Sequence, residues 1–239
     1  MICETEAELV AGLQASLEAL RPEAGDRRDY IGSNDSAALV ALYQPERAPD
    51  VRWATAADVW LRLLHNIRKP WNAGMRRGIE LEPAIKQQYR DEIGPMTDAP
   101  KGGFRHRRLP YVGATPDGLV GDDTVFEAKT WSVFQRGQFG EPGTDHVPVK
   151  YLWQGLHHMA VTGRRECHYL VHFVRDLPDG RCAVEEAAAY RLERDEELAS
   201  ALLECCELFR RDFWVTGRPP PVQPRENKRK WAQLTKGWF

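Results

Sequence analysis

Three polar residues in the middle of the chain have types and spacing suited to chemistry. Asp117 lies in the turn Pro116-Asp117-Gly118, and Glu127 and Lys129 lie in Val125-Phe-Glu-Ala-Lys-Thr130. Successive side chains of a strand point to opposite faces, so Glu127 and Lys129 share one face while Phe126 and Ala128 share the other. A carboxylate and an ammonium then point into the same space. Asp117 stands ten residues before Glu127, and a hairpin-like return brings the two carboxylates together. Paired carboxylates repel unless a cation lies between them, and all-oxygen ligands favour Mg²⁺ or Mn²⁺ over zinc. Such a site activates water and stabilises the charge that builds on a phosphate under attack, with the lysine orienting that water or neutralising that charge. The chemistry suggested is phosphodiester hydrolysis. The bare pattern also fits a turn beside a surface ion pair, so its surroundings decide.

The elements that must position these residues can be read from periodicity and punctuation. Thr5–Leu20, with Leu9, Leu13, Leu17 and Leu20, has the spacing of an amphipathic helix, and 21–29 reads as a polar connector. Ser33–Tyr43 is predicted helical with Ser33 or Asn34 as N-cap, and Thr55 caps a helix carrying Val59, Leu63 and Ile67 on one stripe. A longer helix runs from about Asn72 to Ile93, buries Ile85, Tyr89 and Ile93, is broken or kinked at Pro83, and closes at Gly94–Pro95. The middle changes character: Phe104–Leu109, Tyr111–Ala114 and Thr124–Lys129 are short, extended and separated by turn signals. Val149–Val161 is helical, with Leu152, Leu156 and Met159 on one stripe and Lys150, Gln154, His157 and His158 on the other side. Tyr169–Val174 and Ala183–Leu192 form a hairpin around Pro178-Asp179-Gly180, and Glu193–Val215 is a final helix. The fold class expected is α/β, a small central mixed sheet flanked by helices.

Four motifs occur in order. They are Arg77-Gly-Ile-Glu-Leu-Glu-Pro83, Gly113-Ala-Thr-Pro-Asp-Gly-Leu119, Glu127-Ala-Lys129, and the helical Trp153-Gln154 with Met159 and Val161-Thr-Gly163. Together they resemble the YqaJ/lambda-exonuclease family of phage-type recombination nucleases in the PD-(D/E)XK superfamily, over roughly Tyr30 to Phe173. The resemblance implies a restriction-endonuclease-like core. It implies that Asp117, Glu127, the Ala128 carbonyl and the helical Glu82 hold Mg²⁺ or Mn²⁺, that Lys129 is the catalytic lysine, and that Gln154 faces the active site beside it. Ile31-Gly-Ser-Asn-Asp35 resembles the element that begins the helix lining the DNA end. Ser33, Asn34 and Ser36 there, with Arg27 or Arg28 and Thr115, are candidates to hold a 5′-phosphate, and Arg77 is a further candidate DNA contact.

The activity implied is an exonuclease that digests linear double-stranded DNA from its ends, 5′-to-3′ and one strand at a time, in recombination or repair. A single-strand annealing protein and a ring-shaped homo-oligomer are the implied partners. A structure-specific or CRISPR-associated endonuclease of the same superfamily, and a non-catalytic DNA-end-binding protein, remain alternatives. Residues 1–216 would form one nuclease domain, with a core over about 30–192 and a closing helix over about 193–215. Residues 217–239 would form a proline-rich basic tail, whose Trp231, Trp238 and Phe239 suit either a solvated terminus or a docking arm.

Composition sets bounds on these readings. A chain of 239 residues with 42% apolar and 28% charged residues builds an ordinary core without staples. The net charge of −2 argues against a protein that coats nucleic acid along its whole surface. Basic residues instead come in short clusters, such as Arg105, Arg107 and Arg108, that could rim an acidic centre. Five cysteines without a CxxC spacing exclude a disulfide framework, a zinc ribbon and a local iron–sulfur motif. His168 and His172 read as structural, and Cys205–Cys206 as core or a subunit contact. With no signal-like opening and no run approaching about 18 apolar residues, the expected location is a reducing cytoplasm away from membranes.

Overall fold

The computed structural model describes residues 29–48, 54–67, 72–178 and 180–221. The helix expected over Thr5–Leu20, the candidates Arg27 and Arg28, and the Trp231–Phe239 end of the tail lie outside the described residues. No helix among the described residues is long and apolar enough to cross a membrane.

A 3₁₀ turn at Ser33–Asp35 leads into α1 (Ser36–Tyr43). Neither Ser33 nor Asn34 caps this segment. Asp35 reaches back instead, and its Oδ2 accepts the Gly32 N–H at 2.7 Å. Helix α2 (Ala56–His65) starts in a capping box, with Asp58 N–H donating to Thr55 Oγ1 at 3.2 Å and Thr55 N–H to Asp58 Oδ2 at 2.8 Å. It ends at Asn66 in the left-handed region, φ 54°, so Ile67 falls past the predicted stripe.

Helix α3 (Ala73–Glu92), capped by Asn72, runs through Pro83 without a break. Pro83 and Ile79 are both exposed, so the carbonyl that loses its donor faces water and the cost of an interior proline is reduced. Ile85 and Tyr89 are buried as expected, whereas Ile93 is exposed because the helix has already ended.

The sheet order is β1 (Thr97–Asp98), β4 (Gly118–Val120), β5 (Thr124–Ser132), β6 (Glu166–Asp176), β7 (Cys182–Glu193). All neighbours are antiparallel except β5 and β6, which pair in parallel from Thr124↔Glu166 to Ser132↔Val174. That parallel pair requires a crossover, supplied by α4 (Val149–Thr162). A separate ribbon, β2 (Phe104–Arg105) with β3 (Gly113–Ala114), is all that remains of the two longer strands expected there. The predicted terminal helix divides: β7 runs through Glu193, α5 covers Glu196–Phe209, and a π turn follows at Arg210–Trp214.

The alternation along β5 sorts the molecule into layers. Phe126 packs with Ile85, Tyr89, Met96 and Leu170 under α3. Val125 and Trp131 join the larger core formed with α1, α2, α4 and α5. Helix α4 is therefore central rather than amphipathic, with Trp153 through Val161 all buried. Two strand histidines pin α3 to β6, as Tyr89 Oη lies 2.7 Å from His168 Nδ1 and Gln88 Oε1 lies 2.6 Å from His172 Nε2. Cys205 and Cys206 are core residues of α5.

Candidate active site

Asp117, Glu127, Lys129 and Gln154 line one cavity of about 280 Å³ together with Tyr30, Gly32, Ser33, Asn34, Asp35, Arg62 and Thr115. Backbone pairing fixes the first of these at the head of β4. The Asp117 N–H donates to Phe126 O at 3.0 Å, and the Ala128 N–H donates to Asp117 Oδ2 at 2.8 Å. Glu127 and Lys129 project from β5 toward α4, and Lys129 Nζ bonds Glu127 Oε2 directly. Gln154, one turn into α4, donates from Nε2 to the same oxygen at 3.0 Å.

The electrostatics follow from burial. Removal from water, then the neighbouring Glu127 charge, pushes Asp117 up to about 7. Burial would raise Glu127 as well, but Lys129 and His158 outweigh it and hold that carboxylate at about 2. Burial opposes the charge on Lys129, yet Glu127 and Asp117 keep it above the usual lysine value. A second lysine, Lys150, has its Nζ 4.2 Å from the Trp131 ring centroid and 4.5 Å from that of Tyr151. Burial and the Lys129 charge bring it down to about 7.

These features fit a hard divalent cation. Glu127 Oε1 is buried without an aligned hydrogen bond, and Asp117 is driven toward its protonated form by burial and, after it, by a neighbouring charge that a cation would screen. Among the described residues no group of three or more His, Cys, Asp and Glu side chains is arranged to hold a metal ion. Such an ion would draw on two carboxylates, the Ala128 carbonyl and oxygens of substrate and water, the pattern Mg²⁺ accepts.

The remaining candidates divide. Ser33, Asn34 and Thr115 line the cavity. Ser36 does not: it is fully buried, and its Oγ lies 2.8 Å from His157 Nδ1. His157 Nε2 faces Gly113 O at 2.9 Å, and a carbonyl only accepts, so the ring proton sits on Nε2. Burial lowers His157 to about 3, so the ring is neutral and the Ser36 hydroxyl must donate to Nδ1. That hydroxyl is thereby committed. Glu82 stands on α3, which covers the opposite face of β5, and pairs with Lys86 at 2.8 Å rather than lining the cavity. Its charge nevertheless adds to the rise at Asp117. Arg77 is ion-paired with Asp176 at the end of β6 and lies outside the cavity lining.

One residue beside Ser33, Asn34 and Thr115 in the cavity lining has no signal in the sequence. Arg62 pairs with Asp35, both nearly buried, and both of its terminal nitrogens lie 3.3 Å from Tyr30 O. Asp35 was visible in the Ile31–Asp35 motif, but nothing local marks Arg62.

Comparisons with known proteins give the fold and the family. Among solved structures, an alkaline exonuclease from Laribacter hongkongensis is 24% identical, with 87% of this chain and 96% of that one covered and a TM-score of 0.57. Its complex with dAMP superposes at 0.59, with 23% identity over 96% of this chain and 100% of that one. A phage-related exonuclease from Haemophilus somnus gives 0.59 at 14% identity, covering 79% and 96%. These likenesses establish the fold, a mixed sheet flanked by helices. No curated protein matches the sequence. The model of the YqaJ-like viral recombinase domain matches residues 24–165, more than half of the chain, and the protein belongs to that family.

Proposed function

We propose that the protein is a divalent-metal-dependent deoxyribonuclease that digests linear duplex DNA from its ends in the 5′-to-3′ direction, in recombination and repair. The convergence of Asp117, Glu127, Lys129 and Gln154 on one cavity carries this reading. Asp117, Glu127 and the Ala128 carbonyl hold Mg²⁺, or Mn²⁺ in its place. Bound there, the ion supplies a more acidic water and neutralises charge on the phosphate. Lys129 and Gln154 orient the nucleophile from the Glu127 side. Glu82, held by Lys86 and near enough for its charge to act on Asp117, completes the acidic set around the ion.

The same cavity continues to Ser33, Asn34, Thr115 and Arg62, donors suited to a terminal phosphate. Arg28, which lies outside the described residues, is a further proposed contact to that phosphate. A DNA end anchored there presents its first phosphodiester to the carboxylates. Residues 1–216 act as one nuclease domain, with 217–239 as an appended tail. The nuclease works in the cytoplasm beside a single-strand annealing protein and as a homo-oligomer.

The test compares linear 5′-phosphorylated duplex, linear 5′-hydroxyl duplex and closed circular DNA, with Mg²⁺ or EDTA, for wild type and Lys129→Ala. Mg²⁺-dependent loss of the linear forms alone, absent in the variant, is expected. Cutting of circles would move the reading to an endonuclease. No cleavage by a folded protein that still binds ends would leave a binding module.

A further inference from the structure

Helix α4 carries adjacent histidines that are both fully buried but differently employed. His157 has both ring nitrogens satisfied, by Ser36 and by the Gly113 carbonyl. His158 has neither nitrogen in an aligned hydrogen bond. The carboxylate of Glu127 lies against it, with Nε2 2.8 Å from Oε1. Two bare acceptors do not approach to that distance, so Nε2 carries a proton directed at the carboxylate.

A buried ring with one nitrogen unmatched costs stability relative to an apolar side chain of similar size. His158 therefore needs a reason beyond packing, and its position supplies one. It follows Gln154 by four residues, one helical turn, so the two side chains stand on the same face of α4. Gln154 and Lys129 hold Oε2 of Glu127 while His158 meets Oε1. A carboxylate oxygen has two lone pairs, so Oε1 keeps one for a further ligand beside the imidazole.

We propose that His158 is a positioning residue for the cation site, setting the rotation of the Glu127 carboxylate so that Oε1 faces a metal ion shared with Asp117. This rests on the metal-dependent reading of the site. The residue acts through Glu127 and touches neither substrate nor the reacting atoms. Partners that orient a ligand from behind tune affinity for the ion more than affinity for the substrate.

The experiment measures Mn²⁺ binding to the metal-free, full-length protein at one fixed pH, using the electron paramagnetic resonance signal of free Mn²⁺. Wild type is compared with His158→Leu, which has no donor, His158→Asn, whose amide is too short, and His158→Gln, whose amide reaches. Melting in EDTA confirms folding. His158→Leu and His158→Asn are expected to weaken Mn²⁺ binding by about 10–100-fold, with His158→Gln recovering most of it. The Mn²⁺ concentration for half-maximal cleavage should rise in parallel, and KM for DNA at saturating Mn²⁺ should stay unchanged. If the leucine variant fails to fold, the asparagine–glutamine pair decides. Equal affinity for Mn²⁺ in wild type and folded variants overturns the role of His158 alone. A wild type that binds no Mn²⁺ overturns the metal-dependent reading and this proposal with it.

Discussion

Gln154 Nε2 and Glu127 Oε2 meet at 3.0 Å across 27 residues of chain, joining the crossover helix to the strand it connects. The bond fixes the distance between α4 and the one face of β5 that carries charge, so a change in the helix is felt at the carboxylate. Gln154→Leu should lower kcat by about ten- to a hundredfold, from a hydrogen bond to a charged group worth ~1.5–3 kcal/mol. Lys129→Ala should cost more, about 10²–10⁴-fold, as a group that acts on the reacting atoms. Single-turnover rates at saturating Mg²⁺ separate the two, and equal losses would contradict this ordering.

Asp117 titrates at about 7 in the folded protein, against 3.8 ordinarily, because burial and Glu127 favour its neutral form. A raised pKa gives stability that is fully present below the unfolded value and lost as pH rises through the folded one. Asp117→Asn, neutral throughout, should melt at a higher temperature than wild type in EDTA at pH 8.5. The gain should shrink at pH 5 and disappear below 3.8. With Mn²⁺ present the order should reverse, since the variant lacks a ligand. A gain independent of pH would remove the electrostatic cause.

Asp35 and Arg62 form a nearly buried ion pair whose carboxylate also takes the Gly32 N–H. Asp35→Ala leaves the guanidinium without its counter-charge and should cost about 3–5 kcal/mol in urea unfolding. Arg62→Met should instead reduce the preference for 5′-phosphorylated over 5′-hydroxyl ends, read as a ratio of kcat/KM values. Unchanged stability in the first variant, or an unchanged ratio in the second, would separate this pair from its assigned role.

His157 bridges the Ser36 hydroxyl and the Gly113 carbonyl while remaining neutral. His157→Phe strands both groups and should destabilise by about 1–3 kcal/mol for each unsatisfied group. The depressed pKa works in the opposite direction to that of Asp117. Stability linked to His157 is present above 6.5 and falls as pH drops toward about 3. Part of the acid sensitivity of wild type should therefore be missing from the variant, which chemical denaturation at pH 7 and pH 5 would reveal.

Strand alternation makes the chemical residues legible in the chain itself. Glu127 and Lys129 have to share a face, and the turn at Pro116–Gly118 has to return Asp117 to them. The small strands β1 and β4 are not legible, because two- and three-residue strands exist only by pairing with a neighbour. Nor is the role of α4, whose polar residues suggest a wet face. Gln154, His157 and His158 are buried because each meets a polar group from a distant segment, a match no local periodicity records. Arg62 escapes for the same reason. Glu82 shows the converse: its motif is visible, but nothing local says which side of the strand α3 covers.

Gly118 sits between Asp117 and the rest of β4, and a Cβ there would lie 2.4 Å from Met96 Sδ and 3.1 Å from Thr97 O. The aspartate thus keeps its place through something its neighbour lacks. A census of charged positions would pass over Gly118, yet a single added methyl would press on the Met96 side chain and crowd the Thr97 carbonyl of β1, right beside the carboxylate. Tolerance to mutation around this site is set by available space as much as by reactive groups, so inactive variants should cluster at residues with no chemistry of their own.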